Sequence, residues 1–303
     1  MSTKQAKRTV LITGTSDGGL GSALAIAFHN AGWRVIASAR NTSKLTALAP
    51  LNIETVQLDT LSDTSITTAV QAVRELTGGS LDALVNNAGG GYNMPLMDLD
   101  VSKAKALFDL NVWAVIAVTK AFLPLLMKST HPYGAMVANN TSLSSLTAST
   151  IPFSGTYNAS KAAVSSITEA MRLELGVLGI RVVNLMTGSV ASKFADNLAG
   201  TPKLPADSLY GFAKKEVEQM LSGEGFAGGS QQEEWAAGVV AQLGKKNPSH
   251  WVWSGEFATM TRLGNHLPVG MLDGEIKKAT GFGKVERKIK EIGGPAVIAG
   301  KFE

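Results

Sequence analysis

Tyr157 and Lys161 stand four residues apart, a spacing that puts both side chains on one face of a helix and an ammonium beside a phenol. A free phenol titrates at about 10, too high to exchange protons readily at neutral pH. A neighbouring cation favours the phenolate and is expected to pull that value down. Such a pair can act as general acid toward a carbonyl or as general base toward an alcohol. The chain holds four tyrosines and 28 Lys+Arg, so the spacing by itself is also met in helices whose lysine is merely solvated. The second stretch with chemical content is residues 10–28, VLITGTSDGGLGSALAIAF. A β-rich run enters a glycine-rich turn and leaves as an Ala/Leu-rich helix. Glycines allow a tight turn and close approach of the backbone to a pyrophosphate, whose charge then meets the N–H groups of the helix start.

The elements that must position these groups follow from periodicity. Strand patterns lie near 9–13, 33–39, 53–58, 81–86, 134–141, 180–186 and 250–254. Helical patterns lie near 19–31, 42–48, 63–76, 101–129, 155–178, 204–222 and 230–243. Alternating β and α segments predict an α/β fold: a parallel sheet of about seven strands with helices on both faces. Ligands of such a sheet bind at the carboxyl ends of the strands.

Composition narrows the classes. With 45% hydrophobic and 17% charged residues over 303 positions, the chain can bury a sizeable core and is globular. There is no cysteine, which excludes disulfides, zinc–thiolate sites and cysteine nucleophiles. His29, His131, His250 and His266 show no metal-ligand spacing, so no metal site is expected. A formal charge of +4 suits an anionic small ligand, and no basic block points to nucleic acid. The short basic head lacks a signal-peptide core and no stretch approaches 18 apolar residues, so no leader or membrane span is expected.

Taken in order, these motifs resemble the short-chain dehydrogenase/reductase family. Thr13-Gly14 through Gly21, including Ser16, Gly19 and Leu20, is similar to its glycine-rich loop with one extra residue. This wording resembles the 1-acyl-dihydroxyacetone-phosphate reductases and fungal reductases of the family. Asn86-Asn87-Ala88-Gly89 matches the signature after the fourth strand, Asn111 falls where the family carries a catalytic asparagine, and Tyr157 with Lys161 matches Tyr-x-x-x-Lys. The resemblance covers about 9–190 closely. It implies a Rossmann-type single domain (1–275) with a substrate lid at about 190–229 and a C-terminal extension (276–303). It also implies Tyr157 as proton donor, Lys161 as its partner, and Asn111 holding a relay water.

Cofactor choice follows from the same alignment. The family's acidic position after the second strand falls on Ala39, and Arg40 next to it offers a guanidinium to a phosphate, favouring NADP(H) over NAD(H). Ser16 and Ser38 are further phosphate candidates, and Asp59 matches the aspartate at the adenine edge. The catalytic serine is open between Ser142, placed by the strand-end wording Asn-Asn-Thr-Ser, and Ser144, placed by counting back from Tyr157; Ser142 is preferred, and Ser145 is a third candidate. After the sixth strand, Thr187-Gly188-Ser189-Val190 stands where the family has Pro-Gly. Gly188 preserves the turn, and Thr187 or Val190 is available to the nicotinamide through its backbone.

The expected activity is NADPH-dependent reduction of a ketone, or its reverse, on an apolar, lipid-like or secondary-metabolite substrate. Met94, Met97, Phe153, Phe194 and Leu198 are candidate pocket residues. A homodimer or homotetramer in the cytoplasm is implied. The glycine-punctuated basic tail leaves contact with a lipid-droplet or endoplasmic-reticulum surface open. Two other readings stay open at this point: the same scaffold running non-redox chemistry such as cyclisation, and a cofactor-sensing protein without turnover.

Overall fold

In a computed structural model, residues 7–194, 203–223 and 228–299 are described. Strand β1 (Thr9–Thr13) leads through the glycine turn into α1 (Leu20–Asn30), followed by β2 (Arg34–Ala39), β3 (Glu54–Gln57), α2 (Asp63–Thr77) and β4 (Ala83–Asn86). Next come α3 (Val101–Phe108), α4 (Ala114–Leu126), β5 (Met136–Asn140), α5 (Gly155–Gly176) and β6 (Arg181–Thr187). Short strands β7 (Val190–Ala191) and β8 (Ser230–Gln231) flank α6 (Lys214–Leu221). Beyond them lie α7 (Gln232–Leu243), β9 (Trp251–Ser254), α8 (Ala258–Gly264), α9 (Asp273–Thr280), α10 (Phe282–Glu291) and α11 (Ala296–Ala299).

The main sheet has seven strands in the order β3-β2-β1-β4-β5-β6-β9, and every pairing in it is parallel. Successive side chains alternate between its faces. Val10, Ile12, Val35, Ala37 and Val85 pack with α1 and α7, whereas Leu11, Ile36, Leu84 and Val137 pack with α2 and α4. Both faces are therefore covered, as a parallel sheet requires. The order reverses between β1 and β4, and that crevice receives the glycine turn.

Several expectations needed correction. The helix expected near 42–48 is two 3-10 turns, Thr42–Lys44 and Thr46–Leu51, separated at Leu45, with Pro50 inside the second. The helix expected over 204–222 is reduced to a 3-10 turn at Gly211–Ala213 and α6, because Pro205 and Gly211 break the first half. The single helix expected over 101–129 contains a π-helical turn, Asp109–Trp113. Contrary to the expectation of no spanning-length apolar stretch, the run Val101–Leu126 has a window of mean hydropathy 1.6. Its apolarity serves the core, since Val118, Phe122, Leu125 and Leu126 are buried on the sheet.

The tail is helical through its described part. In α10, Val285 is buried with Phe153, Leu204, Ala213, Val217 and Leu221, so the helix packs on α6 and on the loop that precedes α5.

Candidate active site

The glycine turn is built for close approach. Gly14 lies at φ +69°, and a Cβ there would sit 2.8 Å from the Cα of Ala88. A Cβ on Gly21 would lie 2.3 Å from the Gly14 carbonyl oxygen and 2.6 Å from Asn87 Nδ2. Only hydrogen fits between α1, the turn and the segment after β4. Helix α1 starts after Gly19 with no side-chain cap and no acidic residue in its first turn, an arrangement suited to an anion. Leu20 is its first residue, and Ser16 accepts the Gly19 N–H through its carbonyl (3.1 Å). Asp17 is turned away, its carboxylate accepting from the Thr46 N–H and hydroxyl (2.8 and 2.6 Å) and the Ala47 N–H (3.0 Å).

At the end of β2, Ala39 is buried and Arg40 is exposed. No ion pair among the described residues engages the Arg40 guanidinium. Ser38 departs from expectation: its hydroxyl is fully buried and donates to the Ile12 carbonyl (3.0 Å), so it faces the sheet rather than a phosphate. The Asp59 carboxylate accepts from the Leu61 N–H (3.0 Å) at the end of β3.

Across the strand ends, Thr13 Oγ1 accepts from the N–H groups of Asn87 and Ala88 (3.0 Å each). Asn87 Nδ2 donates back to the carbonyls of Thr13 and Gly14 (3.0 Å each). A Cβ on Gly89 would lie 3.1 Å from Asn111 Oδ1 and 3.7 Å from Lys161 Nζ, so this loop touches two of the candidate catalytic side chains. Gly188 donates its N–H to the Ser254 carbonyl (2.8 Å), and a Cβ there would strike the Glu256 carbonyl at 2.1 Å. Val190 opens β7 and pairs with Ser230.

Asn111 sits on the π-helical turn, buried to 2% exposure. Its Nδ2 donates to the Gly90 carbonyl and to Ser160 Oγ (3.0 Å each), and its Oδ1 accepts the Gly90 N–H (3.0 Å). Ser160 in turn donates to the Tyr157 carbonyl (2.8 Å), linking this amide to the turn of α5 that carries Tyr157. Lys161 Nζ donates to the Asn140 carbonyl (2.9 Å) and lies 5.8 Å from the centre of the Tyr157 ring.

Of the candidate serines, Ser142 is the one whose hydroxyl acts on the Tyr157 phenol, favouring its ionised form. Ser144, buried, donates its hydroxyl to Ser142 Oγ (2.9 Å), and Ser145 donates to the Ser142 carbonyl (2.7 Å). The phenol differs from expectation. Burial pushes its pKa up to about 12, against the hydrogen bond from Ser142, and burial likewise pulls Lys161 down to about 8. Loss of hydration dominates both shifts, so the resting phenol holds its proton firmly.

Phe194 lies over the site, its ring centre 5.7 Å from that of Tyr157. Phe153, at φ +63°, is buried against Tyr210 and Phe282 (5.1 and 5.4 Å) and accepts the Met94 N–H (2.7 Å) through its carbonyl. Met97 is 73% exposed and lines no buried wall, and Leu198 lies outside the described residues. The sequence missed Asn140, Thr13 and Ser160 as supports of the site. Each lies within a motif, Thr13 at the head of the glycine turn, Asn140 in the Asn-Asn-Thr-Ser run and Ser160 between Tyr157 and Lys161, but the spacing assigns none of them a role.

The family model for short chain dehydrogenases matches residues 8–203. The chain is 44% identical over 288 residues to a short-chain dehydrogenase/reductase of Pestalotiopsis microspora, covering 94% of this chain and 98% of that one. It is 34% identical over 277 residues to the NADPH-dependent 1-acyldihydroxyacetone phosphate reductase of Schizosaccharomyces pombe, across 88% and 91% of the two chains. Its fold is similar to that of a short-chain dehydrogenase from Streptomyces avermitilis, with a TM-score of 0.71 and 25% identity over 93% of this chain and 98% of that one.

Proposed function

The chain belongs to the short-chain dehydrogenase family, and on that premise we propose that it interconverts a ketone and an alcohol with NADP(H). The observation that carries this is Lys161 anchored to the Asn140 carbonyl at the end of β5, one turn of α5 from Tyr157, with the Ser142 hydroxyl acting on the phenol and the glycine turn at the same carboxyl end of the sheet. The cradle fits a dinucleotide on its own terms, with hydrogen-only space at Gly14 and Gly21 and an uncapped helix start. Ala39 offers no carboxylate to a ribose and Arg40 is free to meet a 2′-phosphate, which favours NADP(H). The NADPH-dependent reductase of S. pombe supports the same choice.

When bound, NADPH supplies the hydride. Ser142 donates a hydrogen bond to the substrate carbonyl oxygen, and Tyr157 gives its proton to that oxygen as the carbon is reduced. A phenol titrating at about 12 is fully protonated at neutral pH and therefore present as the acid. The phenolate left behind is stabilised by the Lys161 ammonium, and reprotonation proceeds through Lys161 and the Asn111 side chain, whose Oδ1 retains a free lone pair for a water. In the reverse direction the same groups act as base. Phe194 over Tyr157, and Met94 packed against the apolar cluster that holds Phe153, favour an apolar substrate. The relative acting on an acylated dihydroxyacetone phosphate supports a lipid-like one.

Tyr157→Phe tests the assignment. Hydride transfer should fall by roughly 100-fold or more, the scale of a lost general acid, while NADPH binding stays close to wild type. Turnover that survives this substitution would remove Tyr157 from the chemistry.

A further inference from the structure

We propose that Thr187 and Asn140 are positioning residues that lock Lys161 and the glycine turn into one register. This role rests on the reductase assignment above. Past the last ladder pairs, Ile12 with Val85 and Asn86 with Asn139, side chains join the strand ends instead. The Thr187 hydroxyl at the end of β6 donates to Asn140 Oδ1 at the end of β5 (2.6 Å). Asn140 Nδ2 donates to Asn87 Oδ1 just past β4 (2.9 Å), and Asn87 Nδ2 donates to the carbonyls of Thr13 and Gly14 at the end of β1 (3.0 Å each). The same Asn140 offers its own carbonyl to Lys161 Nζ (2.9 Å).

The chain of bonds has only one workable direction. Its last acceptors are backbone carbonyls, which cannot donate, so Asn87 must present its amide N–H groups to them. Asn87 Oδ1 then faces Asn140 and requires a donor there, which fixes the Asn140 amide with its oxygen toward Thr187. That oxygen needs a donor in turn. A hydroxyl at 187, itself buried, supplies it, whereas a proline or valine would leave the half-buried Asn140 oxygen without its protein donor. Thr187, standing where the family resemblance leads one to expect proline, thus couples the nicotinamide end of the cleft to the pyrophosphate end. Asn140 carries the coupling through both its side chain and its carbonyl.

The test compares Thr187→Val with Thr187→Ser in the full-length protein. NADPH affinity is read by fluorescence titration, and kcat and KM by NADPH oxidation with a ketone that the wild type turns over. Thr187→Val should weaken NADPH binding and lower kcat together, each by roughly 10-fold, the scale of one lost hydrogen bond, with ketone KM unchanged. Thr187→Ser keeps the donor and should restore both. Should Thr187→Val fail to fold, Thr187→Ala is measured in its place with the same expectation. The proposal is overturned if the hydroxyl-free variant retains wild-type affinity and kcat, if only one of the two falls, or if Thr187→Ser behaves like it. Wild-type protein that binds no NADPH would overturn the reductase assignment and this role with it, an outcome distinct from the others.

Discussion

Lys161→Met should leave the protein inactive yet no less stable near neutral pH. The fold draws the lysine down from 10.5 to about 8 by burial, so below that range the charged side chain carries a desolvation cost. A displacement of this size corresponds to on the order of 3 kcal/mol. Methionine fills the same aliphatic path without the charge. Against this gain, the Asn140 carbonyl loses its donor, a loss of about 1–3 kcal/mol. At about pH 7 the variant should therefore match the wild type or exceed it by up to roughly 2 kcal/mol. The pH dependence separates the contributions. Below 8 the lysine is protonated in both folded and unfolded chains, and the wild type bears the full cost. Between about 8 and 10.5 the folded lysine sheds its proton while the unfolded one keeps it, so wild-type stability rises with pH relative to the variant. Tyr157 is present in both proteins and cancels. Urea denaturation midpoints of both proteins at about pH 7 and about pH 10 measure the difference. If the gap between the proteins is the same at both pH values, the lysine is not held near 8 by burial. A variant weakened by more than about 3 kcal/mol at neutral pH would show that the hydrogen bond outweighs the desolvation.

Other substitutions probe the remaining parts of the site. Gly21→Ala must push a Cβ into the Gly14 carbonyl at 2.3 Å and into Asn87 Nδ2 at 2.6 Å. Displacing the turn should cost roughly 1–3 kcal/mol in thermal or chemical denaturation and abolish NADPH binding in a fluorescence titration. Arg40→Ala removes an exposed guanidinium, so the melting temperature should hold. NADPH affinity should fall by roughly 10-fold or more and NADH affinity should not change, as comparative titration would show. Ser142→Ala should lower kcat far more than Ser144→Ala, because Ser144 meets Tyr157 only through Ser142; a larger loss on Ser144→Ala would reverse the roles.

Much of the sheet was legible because its strands carry apolar residues on both faces: Val10 and Ile12 serve one face and Leu11 the other. The glycine turn was legible because φ +69° at Gly14 and the contact at Gly21 admit no other residue without strain. Features set by local backbone choices were not. An inserted π turn leaves the apolar pattern of 101–126 intact, so nothing in the composition marks the turn that presents Asn111. The choice between Ser142 and Ser144 could not be made by counting, because the intervening loop folds into two 3-10 turns, Leu143–Ser145 and Thr147–Ser149. The spacing of Tyr157 and Lys161 is visible in the chain, but the burial that pushes their pKa values toward the neutral forms is a property of the packed site. Thr187 stands in the sequence only as a missing proline, because its hydroxyl meets Asn140 only once β5 and β6 lie side by side.

Titration of the purified protein with NADPH and with NADH, followed by NADPH oxidation against a panel of apolar ketones, tests the proposed activity most directly. Tighter binding of NADPH than NADH, with turnover of at least one apolar ketone, is the predicted result. Tight binding with no carbonyl reduced would contradict the reductase chemistry assigned to Tyr157, and binding of neither cofactor would contradict the site itself.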